Sequence, residues 1–105
     1  MQQAQSAQQM QDIISRAIHA KQSLKVRAKH LERIVDPYAL YPTQDDKLVL
    51  ESWSVEGEYE KTPPPHWYPI PLADLTSVTL LDRSFQPRPD YKPNSKRYQR
   101  AICRV

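Results

Sequence analysis

Leu48-Val49-Leu50-Glu51-Ser52-Trp53-Ser54-Val55 is the run on which the fold turns. It is a short apolar stretch carrying Val49, Trp53 and Val55, with a turn-forming segment before it at Pro42–Asp46. Such a run is too short for an independent helix and reads as a strand. Glu56-Gly57 is expected to turn the chain after it. Upstream, Leu24, Val26 and Ala28 alternate with Lys25, Arg27 and Lys29, the period of two that marks a half-buried strand with a basic outer face. Between these two strands, Arg33-Ile34-Val35-Asp36-Pro37 runs on to Tyr38-Ala39-Leu40-Tyr41. Pro37 has no N–H to give a ladder, so this stretch is expected to be an edge, a bulge or a strand end.

The N-terminal part has a different period. Ala7, Met10, Ile14, Ala17, Ile18 and Lys21, with Ile13 beside them, make an amphipathic stripe about 15 residues long, with Ser6 placed to cap it. A helix this short is held mainly by packing, so it must lie on the strands. The opening segment, Met1–Gln11, is glutamine-rich and is expected to fray at its start.

Downstream of the opening run, Thr62-Pro63-Pro64-Pro65 reads as an extended polyproline segment. Trp67-Tyr68-Pro69-Ile70-Pro71 reads as a proline-limited edge, Leu72–Leu75 as one helical turn, and Thr76–Leu81 as a buried strand. Phe85–Pro93 holds three prolines and reads as a loop wrapping the surface, and Tyr98–Val105 favours a last strand over a helix. One helix followed by strands without intervening helices predicts a mainly β domain: a small antiparallel sheet or barrel capped by the N-terminal helix.

Composition narrows the function. The 105 residues suit one domain. A single glycine, Gly57, cannot build a phosphate-binding or dinucleotide-binding glycine loop. One cysteine and three scattered histidines form no internal disulfide and match no metal-ligand spacing, and no cofactor is expected. No apolar run approaches a membrane span and no leader pattern opens the chain, so no membrane contact and a cytoplasmic location are expected. No nucleophile–base arrangement is recognisable, so the expected role is not enzymatic.

The charge is uneven. Residues 1–82 hold 8 Lys/Arg and 11 Asp/Glu, a net of −3, whereas residues 83–105 hold 7 basic residues against Asp90, a net of +6. Basic residues interleaved with Phe85, Tyr91 and Tyr98 suit a nucleic-acid backbone, with Arg88, Lys92, Lys96, Arg97 and Arg100 as the candidate contacts.

Ile14-x-x-Ala17-Ile18, then Leu24-x-Val26, then Arg33-x-Val35-x-Pro37-Tyr38-x-Leu40, resembles the start of a WYL domain. Leu48-Val49-Leu50-x-x-Trp53, Ile70-x-Leu72-x-x-Leu75-x-x-Val78 and Phe85 continue the likeness. The resemblance divides the chain into a glutamine-rich lead, 1–12, a WYL-like domain, 13–85, and a basic extension, 86–105, packed on the domain or extending it. It implies an Sm-like or SH3-like β-barrel capped by the helix. It also implies a bacterial regulatory module that senses a nucleotide or single-stranded nucleic acid and is linked to transcription regulation.

The tripeptide that names the family falls on Leu48-Val49-Leu50, and of the family's ligand-facing arginines only Arg33 remains. Arg33 is therefore the expected anion-binding residue, with Tyr38 and Trp67 as stacking partners. The alternative for Arg33 is a structural pair with Asp36 or Asp74. The lost arginines and the free strand edges leave open a second role, binding a protein partner or assembling with copies of itself.

Overall fold

A computed structural model describes residues 5–105. The expected fraying falls on residues 1–4, outside the described residues. Helix α1 (Ala7–Ala20) starts where the sequence places it: Ser6 Oγ accepts from the Gln9 N–H, and Gln9 Oε1 accepts from the Ser6 N–H. This reciprocal pair satisfies two donors at the helix start. Lys21 leaves the helix in a left-handed conformation, φ 54°. Met10, Ile14, Ala17 and Ile18 are buried.

Six strands follow: β1 (Gln22–Ala28), β2 (Leu31–Pro42), β3 (Leu48–Gly57), β4 (His66–Pro71), β5 (Leu75–Ser84) and β6 (Cys103–Arg104). They form one antiparallel sheet in the order β4-β3-β2-β1-β5, with β6 paired to β2. Lys29 and His30 alone link β1 to β2, with positive φ at both. Such tight hairpins usually use Asn or Gly, and neither is present to mark this one.

The opening run lies in β3, which continues through Glu56-Gly57 before the chain turns, later than its sequence suggests. The segment after it bends at residues 60–62 and 64–65, so it is not one continuous polyproline stretch. A single 3-10 turn, Leu72–Asp74, joins β4 to β5.

The mainly β fold with an N-terminal helix is as expected, but the sheet does not close into a barrel. β4 and β5 are its two edges and do not pair. Pro69 and Pro71, at alternate positions of β4, remove two donors from one side of that strand, which suits it to an edge.

Pro37 lies inside the central strand, and the register shows how it is tolerated. Pro37 faces Ser52 and Ala39 faces Glu51, so Tyr38 is the extra residue of a β-bulge. Beyond the bulge β2 is buried on both faces, with Leu40 turned to one core and Ala39 and Tyr41 to another. The first core joins α1 to the sheet through Ile14, Ile18, Leu24, Val26, Val35, Leu50, Ile70 and Val78. The second is aromatic. Tyr38, Tyr41, Tyr91 and Tyr98 form it, with Trp53, Trp67 and Phe85 against them. The C-terminal segment supplies Tyr91 and Tyr98 to this second core, so it covers a face of the sheet.

Candidate functional site

Arg33 stands in β2 opposite Val26 of β1 and Gly57 of β3. Gly57 lets the strands approach: a Cβ there would lie 2.7 Å from Arg33 Cα and 2.6 Å from the Glu32 carbonyl oxygen. The Arg33 side chain lies over the Tyr68 ring of β4, 4.1 Å from its centroid, and Nη1 donates to Ser54 Oγ at 3.3 Å. The residue is only 6% exposed, and Nε has no hydrogen-bond partner. No carboxylate among the described residues pairs with it. Asp36 accepts instead from Ser23 Oγ at 2.6 Å, with burial pushing its carboxyl above the ordinary range. Asp74 pairs with Lys29 at 3.5 Å. The structural ion pair weighed for Arg33 is therefore not formed.

Two clefts open beside Arg33, and charge distinguishes them. One, of about 290 Å³, is walled by Glu32, Glu56 and Glu58, with Lys25 on its rim. The other, of about 410 Å³, is walled by Lys29, Lys61, His66, Trp67 and Tyr68, with Glu60 as its acidic residue. The second suits an anion. Both ring nitrogens of His66 lie near carbonyl oxygens, those of Trp67 at 2.9 Å and Thr62 at 3.2 Å, and the neutral ring donates to one of them.

Trp67 shares this cleft with Arg33. Its ring meets Tyr38 and Trp53 edge-on, and its Nε1 donates to Asp90 Oδ2 at 3.0 Å. That bond holds the Asp90 carboxyl below its ordinary range. Tyr38 lies elsewhere. It is fully buried among Trp67, Phe85 and Tyr91, and its hydroxyl accepts from the Arg88 backbone N–H at 3.0 Å. The bulge at Tyr38 turns the side chain into the aromatic core, so it anchors the C-terminal segment and has no surface to offer a ligand.

The basic segment is docked on the sheet. Arg88 lies 3.6 Å over the Trp53 ring and pairs with Asp90 at 2.9 Å. Arg97 pairs with the buried Glu51 at 3.0 Å, Arg100 with Asp46 at 2.7 Å, and Arg83 with Glu56 at 3.0 Å. Arg104 Nη1 donates to the Pro93 carbonyl at 2.6 Å. Lys92 and Lys96 make no ion pair among the described residues. Most of the local positive charge is thus compensated within the chain. Three of the five candidate nucleic-acid contacts, Arg88, Arg97 and Arg100, already hold carboxylates.

Tyr68, one of the aromatic residues clustered in the middle of the sequence, is the platform for Arg33. Two positions that matter here were not singled out in sequence: Ser54, the hydrogen-bond acceptor of Arg33, and Glu51, the anchor for Arg97 and Tyr98. Glu51 carried a signal. It shares the period-two face of Val49, Trp53 and Val55, and a carboxylate on an apolar face needs a partner. Cys103 is remote from the cleft; it packs against α1, with Sγ near Ser15 Oγ, and burial pushes its thiol upward. No group of His, Cys, Asp and Glu among the described residues could hold a metal, and no helix among them is long and apolar enough to cross a membrane. Compared with known proteins, the chain matches no family model, no curated protein and no solved structure.

Proposed function

We propose that the protein is a non-enzymatic sensing domain that takes an anionic, nucleotide-like ligand in the cleft between Arg33, Lys61 and Tyr68. One observation carries this reading: a buried guanidinium with an unpartnered Nε and no carboxylate paired with it among the described residues. Buried charges are normally paired, because removing them from water costs several kcal/mol (about that per ion). A buried arginine that the chain leaves uncompensated has donors for another molecule. Phosphate is the best fit, since a guanidinium can bond it with two parallel donors. Tyr68 and Trp67 offer aromatic surface for a base.

The resemblance of Arg33–Leu40 to the WYL domain supports the same reading and adds a regulatory role in bacterial transcription. The N-terminal helix, the open antiparallel sheet and the 3-10 turn joining its edge strands suit an Sm-like arrangement left open.

Titration of nucleoside phosphates and short oligonucleotides against the wild type, Arg33→Lys and Arg33→Met tests the proposal. The wild type should bind, Arg33→Lys more weakly, and Arg33→Met at least tenfold more weakly. A structural arginine would make Arg33→Met less stable. A ligand-binding one leaves its melting temperature unchanged or raised, because an apolar side chain of similar length replaces an uncompensated charge. Equal binding by all three proteins, or none by any, would overturn the reading.

A further inference from the structure

A further cleft lies on the aromatic side of the sheet, between β3, β4 and the C-terminal segment. It holds about 310 Å³, the small end of the range of about 300–1,000 Å³ for ligand sites. Trp67, Tyr91 and Tyr98 line it with aromatic surface. The ring centroids of Trp67 and Tyr91 are 6.4 Å apart and those of Tyr91 and Tyr98 5.8 Å apart, so the three make one aromatic run.

Two carboxylates and two cations also line the cleft. Asp90 is fully engaged: Oδ1 accepts from Arg88 Nε at 2.9 Å and Oδ2 from Trp67 Nε1 at 3.0 Å. Glu51 is half engaged. Its side chain is 4% exposed, and both of its bonds reach Oε2, from Arg97 Nη1 at 3.0 Å and from the Tyr98 hydroxyl at 3.4 Å. Oε1 accepts no hydrogen bond from the described residues. Among them, Arg33 Nε is the one polar side-chain atom sealed from solvent without a partner. Oε1 is therefore not sealed, and it is reached from the cleft that Glu51 lines. Of the cations, Arg97 is held by Glu51. Lys92 is exposed and makes no ion pair among the described residues. One carboxylate oxygen and one ammonium are thus open on the same cleft, beside an aromatic wall.

We propose that this cleft binds a free α-amino acid with an apolar side chain. Its ammonium meets Glu51 Oε1, its carboxylate meets Lys92, and its side chain lies along Trp67 and Tyr91. Charge excludes the simpler ligands. A cation with no anionic group is repelled by Lys92 and Arg97, and an anion with no donor is repelled by Glu51 and Asp90. A neutral apolar molecule strips water from Oε1 and returns no donor, leaving a desolvated carboxylate oxygen unpaired. A small zwitterion satisfies both open charges. The aromatic wall then favours an apolar side chain over a polar one. Trp67 also lines the Arg33 cleft, but none of the charged residues is shared, so the two sites are separable by mutation.

Isothermal titration of the full chain with L-leucine, isoamylamine and isocaproate tests this. Isoamylamine lacks the carboxylate of leucine, and isocaproate lacks its amine. Leucine should bind, and each analogue should be weaker by about tenfold or more. Lys92→Ala alters an exposed side chain, so it should keep the wild-type melting temperature and weaken leucine by about tenfold. Glu51→Gln keeps the size of the side chain and an oxygen for Arg97, and should weaken leucine by about the same factor. Arg33→Met should bind leucine as the wild type does. Absence of leucine binding would overturn the proposal. So would an analogue that binds as tightly as leucine, or wild-type affinity for leucine in Lys92→Ala or Glu51→Gln. Loss of leucine binding in Arg33→Met would also overturn it, by placing the amino acid in the other cleft.

Discussion

Tyr38 shows how one side chain decides what a segment can do. Next to Arg33 and Pro37 in sequence, it looks like a ligand-stacking partner. The bulge after Pro37 buries it, and its hydroxyl receives the Arg88 N–H. Tyr38→Phe removes that acceptor and leaves the amide unpaired, which should cost about 1–3 kcal/mol in urea unfolding. Tyr38→Ala should cost more, about 3–5 kcal/mol, because it empties the centre of the aromatic core. Loss of ligand binding by Tyr38→Phe with unchanged stability would instead place this hydroxyl in the site. Arg33 is the opposite case: the sequence singled it out, but its burial and lack of a carboxylate partner were not legible there.

Among the elements, β3 was the most legible and its end the least. An apolar run with period two specifies a strand, whereas Gly57 could equally end one or admit a close neighbour. It does the latter, at φ 127°, against Glu32 and Arg33. Gly57→Ala therefore meets both a backbone conformation unfavourable to L residues and a contact below 3 Å. It should destabilise the protein by about 2 kcal/mol or more, and ligand affinity should fall with it because Arg33 Cα must shift. A urea midpoint equal to wild type would show that β2 and β3 can part without cost. The tight β1–β2 hairpin was hidden for a related reason: Lys29 and His30 adopt positive φ because the strands on either side require it, not because their side chains favour it.

For the whole molecule, the negative body and positive tail prove to be one folded unit. Glu51, Asp46 and Glu56 receive arginines of the C-terminal quarter, and its tyrosines complete the aromatic core. Deleting residues 86–105 should therefore abolish cooperative unfolding and the near-ultraviolet dichroism of Trp53 and Trp67. A separable nucleic-acid arm would leave both intact. Alkaline pH should weaken the same core. Burial raises Tyr38, Tyr41, Tyr91 and Tyr98 above the ordinary tyrosine value of 10.0. The folded chain then holds protons that the unfolded chain gives up, so stability is full below about pH 10 and falls as pH rises through it. Urea midpoints measured from neutral to alkaline pH should decline there, and a flat profile would contradict this sign. Local periodicity and the proline positions were enough to specify the helix, the places of most strands and the mainly β class, because each depends on neighbours a few residues away; they did not show that β5, which reads as a buried strand, is a half-exposed edge. Closure of the sheet, the partners of Arg33 and the fate of the tail's charge depend on residues distant in sequence, Glu51 with Arg97 and Tyr38 with Arg88 among them. Only packing brings those pairs together, and it docks the basic segment on the sheet through its tyrosines.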